Sequence, residues 1–202
     1  MKTALLSAYQ KTDALADFAR ALQKRGWIIW ASSGTKKFLE EKGIEAIDVA
    51  TMVGEPILGH RVVTLSREIH AGLLARPEDE AELTKLGLQR IDLVYNDLYP
   101  LKEEMVRAGA TQESIIEKTD IGGTTLLRSA AKGRRIVLCK QSQFEEALEH
   151  IDVEWSTSTE DSNHYLARLA AEAESLVADY ASASAEFNRR VSAGDFDEVR
   201  LR

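Results

Sequence analysis

Residues 3–7 (TALLS) form a short apolar run closed by a polar turn, and Leu15, Phe18, Ala19 and Leu22 then recur at helical spacing. The pattern predicts strand, loop, helix. Gly26 closes that helix, and the four residues 27–30 (WIIW), too few for a helix and rich in strand formers, predict the second strand. A loop of small hydroxyl residues over 31–35 leads into a helix over 36–42 that stops at Gly43, and 46–49 reads as a third strand. Strand and helix alternate, so the expected fold class is α/β: a mainly parallel sheet flanked by helices on both faces.

The middle of the chain is less regular. Pro56 and Gly59 interrupt it, 61–65 reads as extended, 68–76 as a helix closed by Pro77, and 78–86 as a charged, solvated helix. Residues 91–95 (IDLVY) are the next strand, followed by helical spacing over 101–108 and 112–118. A segment Asp120-Ile121-Gly122-Gly123 then opens onto a helix over 126–132 and a strand over 136–139. From 159 to about 187 the pattern is one long Ala-rich helix, with Leu166, Leu169, Ala170, Ala173, Leu176 and Val177 on one side. That side has to pack on the domain or on a second copy, which makes a homo-oligomer an expected partner. The division that follows is a main domain over 1–155, a helical extension over 156–190 and a tail over 191–202 with little to bury, expected to be disordered.

Composition narrows the function. A chain of 202 residues, 44% apolar and 29% charged, can hide about 70% of its unfolded surface without a staple. Its 26 basic and 33 acidic side chains leave a net charge of -7, which argues against nucleic acid as a partner, because counterion release needs a basic face. No run reaches the ~18 apolar residues of a membrane span, no signal-peptide pattern opens the sequence, and Cys139 is alone. A cytoplasmic protein acting on a small molecule is the expectation. His60, His70, His150 and His164 show no metal-ligand spacing, and Cys139, in a buried-looking strand, reads as inert.

In open parallel sheets, ligands bind beyond the carboxyl ends of the strands, so the 32–35 loop and the 96–100 strand exit should share one rim. Ser32-Ser33-Gly34-Thr35 offers free backbone N–H groups and hydroxyls at a helix start, suited to a phosphate or to a plain N-cap turn. Neither the Walker pattern nor GxGxxG is present. Asp120 with Gly122 and Gly123 pairs a carboxylate with residues that let a ligand approach the backbone; a simple Asp N-cap is the rival. Lys132 ends the helix that this segment begins, where a cation is favourable in any case.

Together these pieces resemble one family, the IMP cyclohydrolase domain of the bifunctional AICAR transformylase/IMP cyclohydrolase, which has the methylglyoxal-synthase-like fold. The resemblance is carried in order by Lys11-Thr12, the 31–35 loop, Arg61-Val62-Val63-Thr64-Leu65, the 69–76 helix (IHAGLLAR), Leu98-Tyr99-Pro100, and Asp120-Ile121-Gly122-Gly123 running on to Lys132. The later helix, with 166–170 (LARLA) and Tyr180, is similar to the segment that follows the cyclohydrolase domain. The resemblance implies dehydrative closure of 5-formamido-imidazole-4-carboxamide ribonucleotide to inosine monophosphate, in purine biosynthesis and without cofactor or metal. A separate AICAR transformylase would have to supply the substrate. On matching positions, Lys132, Asp120 and Tyr99 would be catalytic, and Lys11, Thr12, Ser32, Gly34, Thr35, Arg61, Thr64, Gly122 and Gly123 would bind the purine ribonucleotide.

Several positions depart from the family pattern. Where the family reads Arg-Val-Lys-Thr-Leu-His-Pro this chain reads Arg61-Val62-Val63-Thr64-Leu65-Ser66-Arg67, so a basic residue of the site is Val63. Lys36 and Arg67 are the candidates to replace that charge. Ser-Asp-Lys-Thr becomes Tyr9-Gln10-Lys11-Thr12, and Asn-Leu-Tyr-Pro becomes Asp97-Leu98-Tyr99-Pro100. Val63 and Tyr9 favour an alternative, a catalytically silent nucleotide-binding partner of a separate transformylase, and the retention of Asp120, Lys132 and Tyr99 together disfavours it. A lyase acting on a small sugar phosphate rests on fold analogy alone.

Overall fold

Thr3, Ala4, Leu5 and Leu6 are all buried, so both faces of the first strand are covered. A strand in that setting needs an apolar run rather than an alternating one. The computed structural model describes residues 2–59, 61–152 and 160–194. In chain order its elements are β1 (Thr3–Ala8), α1 (Asp13–Lys24), β2 (Ile28–Ala31), α2 (Ser33–Glu41), β3 (Ile47–Asp48), α3 (Ala50–Val53), α4 (Arg67–Leu74) and α5 (Glu80–Lys85). The second half contributes β4 (Leu93–Asp97), α6 (Leu101–Val106), α7 (Gln112–Glu117), α8 (Ile121–Lys132), β5 (Ile136–Leu138), α9 (Phe144–Asp152) and α10 (Glu160–Ala193).

The five strands lie in the order β3-β2-β1-β4-β5, and every pairing is parallel. Leu5 stands opposite Trp30 on one side and Val94 on the other. The chain winds outward from β1 to β3, then returns to β1's other edge to lay down β4 and β5. The winding therefore reverses between β1 and β4, and a crevice opens there beyond the strands' carboxyl ends.

Helix starts follow local chemistry. Thr12 caps α1 by accepting the Leu15 N–H at 3.3 Å, Ser66 caps α4 through the Ile69 N–H at 3.2 Å, and Asp120 caps α8 through the Gly123 N–H at 2.7 Å. Helix α8 lies on β4 and β5 and is itself covered by α10. The buried stripe of α10, including Leu166, Leu169, Ala173 and Val177, is thus used within the chain, against α8, β5 and α6.

The structure departs from the sequence expectations in several places, and five of them shape the layout. Residues 61–65 form no strand; the antiparallel pairing there is one bridge between Ile57 and Val62, around Leu58 and Gly59 with φ of 54° and 76°. Helix α4 stops at Leu74 because the chain turns extended at Ala75, ahead of Pro77. The 78–86 segment starts as a 3-10 turn (Pro77–Asp79) before α5. Helix α9 was not anticipated at all; its Phe144 stacks on Phe18 at 4.2 Å and meets Tyr95 edge-on at 4.8 Å. Finally, α10 runs on to Ala193, beyond the expected start of the tail. The 155/156 boundary and residues 195–202 lie outside the described residues.

Candidate functional site

The carboxyl ends of β1 (Ser7, Ala8) and β4 (Asn96, Asp97) floor a cavity of about 560 Å³. Its two walls differ in chemistry. One is built from the start of α2 and the 56–64 loop; the other from Tyr99, the 116–119 segment and the start of α8.

On the α2 wall, Ser32, Ser33 and Gly34 present the first turn of a nine-residue helix whose N-cap residue Ser32 makes no side-chain capping bond. Lys11 reaches across to it. Its ammonium donates to the carbonyls of Ala8 (2.9 Å) and Tyr9 (3.4 Å), and a Cβ on Gly34 would stand 3.8 Å from Nζ. Arg61, whose Nε donates to the Leu58 carbonyl at 3.1 Å, lines the same cavity together with Thr64. A helix start beside a lysine and an arginine suits an anion.

On the opposite wall Asp120 sits at the head of α8. Burial pushes its carboxyl pKa up, and the nearby Asp97 charge adds to this; the backbone N–H groups of Gly123 and Tyr99 pull in the other direction. The Tyr99 phenol is also pushed up, chiefly by burial and then by Asp120 and Glu117, so it stays a neutral hydrogen-bond donor at ordinary pH. Close approach requires glycine at 123 and leaves little room at Gly122. A Cβ on Gly123 would stand 2.4 Å from Asp120 Oδ2 and 2.5 Å from Asn96 Nδ2, and one on Gly122 would stand 3.0 Å from Thr64 Oγ1.

Nine of the sequence-expected residues therefore meet at one cavity: Lys11, Ser32, Gly34, Arg61, Thr64, Tyr99, Asp120, Gly122 and Gly123. Three do not. Thr12 spends its hydroxyl as the α1 cap and as a donor to Gln141 Oε1 at 2.6 Å. Thr35 is fully buried and accepts the Ala8 N–H at 2.9 Å, so it ties α2 to β1. Lys132 is corrected most clearly. It closes α8 at the end opposite Asp120, about 18 Å away along the helix axis, and does not line the cavity. The expected replacements for the missing lysine are also elsewhere: Lys36 pairs with Glu40 at 2.6 Å, and Arg67 lies outside the cavity that Val63 lines.

Sequence reasoning gave no site role to four residues that line the cavity, although it placed the 96–100 strand exit on the rim. Asp97 accepts the N–H groups of Tyr9 (2.7 Å) and Gln10 (2.8 Å) across the β1/β4 reversal, fixing the loop that carries Lys11. Asn96 is 3% exposed, and its Nδ2 has no hydrogen-bond partner among the described residues, which leaves a donor in the cavity wall. Lys118 and Tyr9 line the cavity beside Tyr99. Strand-end position was the available signal for Asn96 and Asp97; nothing in the local pattern marks Lys118. From behind the wall, Tyr180 of α10 accepts the Asp120 N–H at 2.9 Å and donates to the Lys118 carbonyl. Cys139 is free and buried, with its thiol pKa pushed up by burial.

Among the described residues no group of three or more His, Cys, Asp or Glu could hold a metal ion, and no helix is long and apolar enough to cross a membrane.

Residues 14–125 match the MGS-like domain family. The chain is 37% identical over 208 aligned positions to the "Bifunctional purine biosynthesis protein PurH" of Lactobacillus acidophilus, covering 100% of this chain and 40% of that protein. It is 46% identical over 142 positions to the PurH of Pediococcus pentosaceus, covering 68% of this chain and 28% of that protein. The chain thus spans well under half the length of these PurH relatives. Among solved structures, the one titled "Crystal structure of ForH" superposes with a TM-score of 0.75 at 29% identity, covering 92% of this chain and 97% of that one. The family match extends over more than half of the sequence, and the chain belongs to the MGS-like domain family, homologous to part of PurH.

Proposed function

We propose that the chain is an IMP cyclohydrolase, closing 5-formamido-imidazole-4-carboxamide ribonucleotide to inosine monophosphate with loss of water, in the cytoplasm. The family match and the purine-biosynthesis relatives support the substrate class. The observation that carries the reading is Asp120: a half-buried carboxylate with a raised pKa, next to a neutral phenol, across a cavity from a lysine, an arginine and an open helix start.

The ribose phosphate would lie on the α2 wall and the imidazole on the Asp120 wall. Both reacting groups already sit on one ring, so proximity is built in and proton transfer remains. The carboxamide nitrogen attacks the formyl carbon, forming the C–N bond; one N–H proton passes to Asp120 and the C=O electron pair moves onto oxygen. That oxygen is protonated to a hydroxyl and leaves as water. Its two protons come from the carboxamide nitrogen and the formamido nitrogen, so the cycle returns Asp120 to its starting state. Tyr99, a donor, orients the ring or hands a proton to the departing oxygen.

Val63 favours a second reading, nucleotide binding without turnover as the partner of a separate AICAR transformylase. One assay separates them. The formamido nucleotide is converted and followed by ultraviolet absorbance with wild type, Asp120→Asn and Lys132→Ala. Turnover by wild type and Lys132→Ala, with at least a hundredfold loss in Asp120→Asn, is expected. A wild-type rate equal to the uncatalysed background overturns the catalytic reading, and tight inosine monophosphate binding with a transformylase in tow selects the other.

A further inference from the structure

We propose that Lys118 supplies the positive charge of the ring-side wall and faces the oxygen borne by the ligand carbon that closes the purine ring. The proposal rests on the ring-closure reading for its catalytic step. Two departures from the family pattern motivate it, a lost lysine at Val63 and an aromatic ring gained at Tyr9. Tyr9 meets this residue directly, and Val63 lines the same cavity.

The other two cations that line the cavity, Lys11 and Arg61, belong to the opposite, anion-suited wall, and Lys36 does not line it. Lys11 donates to the β1 exit carbonyls beside Gly34, Arg61 donates to Leu58, and Lys36 is paired with Glu40. Lys118 caps the C-terminal end of α7, and its carbonyl is held by Tyr180 from α10, so its backbone is fixed. Its Nζ stands 5.1 Å from the Tyr9 ring centroid and 5.6 Å from that of Tyr99. The two rings meet edge-on, 5.5 Å apart at 61°. Among the described residues Lys118 forms no salt bridge. Aromatic faces hold an ammonium without neutralising it, and Glu104, whose carboxyl feels this charge, is ion-paired with Arg107 instead, so the ammonium stays available to a ligand oxygen in the cavity that all three residues line.

In ring closure, that oxygen is the former formyl oxygen, which gains negative charge as the C–N bond forms and the carboxamide proton passes to Asp120. A cation already in place is an effective stabiliser of such an oxyanion. Base and cation then ride on one three-residue segment, both of whose ends are tied to Tyr180.

The test uses the full chain and two nucleotides that differ at one ring carbon. Xanthosine monophosphate bears an oxygen on the carbon derived from the formyl group; inosine monophosphate bears hydrogen. Calorimetry should show wild type preferring the 2-oxo nucleotide by at least tenfold, Lys118→Arg keeping a preference, and Lys118→Met losing it. Adding Val63→Lys to Lys118→Met should restore part of it. In turnover, Lys118→Met should lower kcat by about a hundredfold or more with KM within a few-fold. Equal affinity for the two nucleotides in wild type, or a Lys118→Met variant with the wild-type preference, overturns the proposal. Wild-type preference for the 2-oxo nucleotide with no turnover sinks the ring-closure reading instead and leaves the contact standing.

Discussion

The hydroxyl of Tyr180 accepts the backbone N–H of Asp120 at 2.9 Å and donates to the carbonyl of Lys118, so a residue late in the chain holds the segment on which the candidate site depends. Removing that hydroxyl orphans two part-buried backbone groups. Tyr180→Phe should lose about 1–3 kcal/mol, a fall in Tm of roughly 2–10 °C, and should lower kcat more than it raises KM. A melting curve identical to wild type would show that the clamp contributes nothing.

Gly123→Ala sets helix propensity against site geometry. Alanine favours a helix interior by about 1 kcal/mol over glycine, yet its Cβ would stand 2.4 Å from Asp120 Oδ2 and 2.5 Å from Asn96 Nδ2. The carboxylate has to move. A shift of about 1 Å at a reacting group costs on the order of a hundredfold in rate, so turnover should drop by that order while circular dichroism shows the helix intact.

Asp120 should cost stability at neutral pH. Its pKa in the folded chain lies above its unfolded value, so its favourable contribution is complete below the unfolded pKa and is lost as pH rises through the folded one. Asp120→Asn keeps a good N-cap and removes the half-buried charge. The variant should melt at or above the wild-type temperature at pH 7, with the gap closing on acidification. In wild type, the rate should rise with pH along a limb displaced above the ordinary carboxylate range. A variant clearly less stable than wild type at pH 7 would contradict this.

Glu104 has the opposite sign. The Arg107 guanidinium, at 2.7 and 2.8 Å, and the Ser114 hydroxyl pull its carboxyl pKa down to about 2. Its contribution is present above the unfolded value near 4.5 and disappears as pH falls toward about 2. Glu104→Gln should therefore be less stable than wild type at pH 7, with the two denaturation midpoints converging over that acid window. A gap that is constant with pH would assign the effect to packing.

What could be read from the sequence was local. Alternating apolar runs and helical spacings gave the parallel α/β order, and Asp120 followed by two glycines could be read as a helix entry with close approach, which it is. Lys132 shows the limit of motif order: it belongs to the same run of residues as Asp120, but a helix between them carries it to the far rim. Thr12 and Thr35 are the hydroxyls that spacing alone could not separate from ligand donors, since each satisfies a backbone group nearby. Lys118, Asn96 and the Tyr9–Tyr99 pair come together only through the β1/β4 reversal, a long-range event that no window of neighbouring residues encodes. Phe144 was equally silent, because its stacking partner Phe18 lies on the first helix.

The placement of α10 bears on how small this unit can be made. A chain cut before residue 160 would strip the cover from α8 and remove Tyr180, the residue that ties Lys118 to Asp120. Any minimal fragment for crystallography, transplantation or fusion has to retain that last helix, even though none of its residues reaches the ligand space.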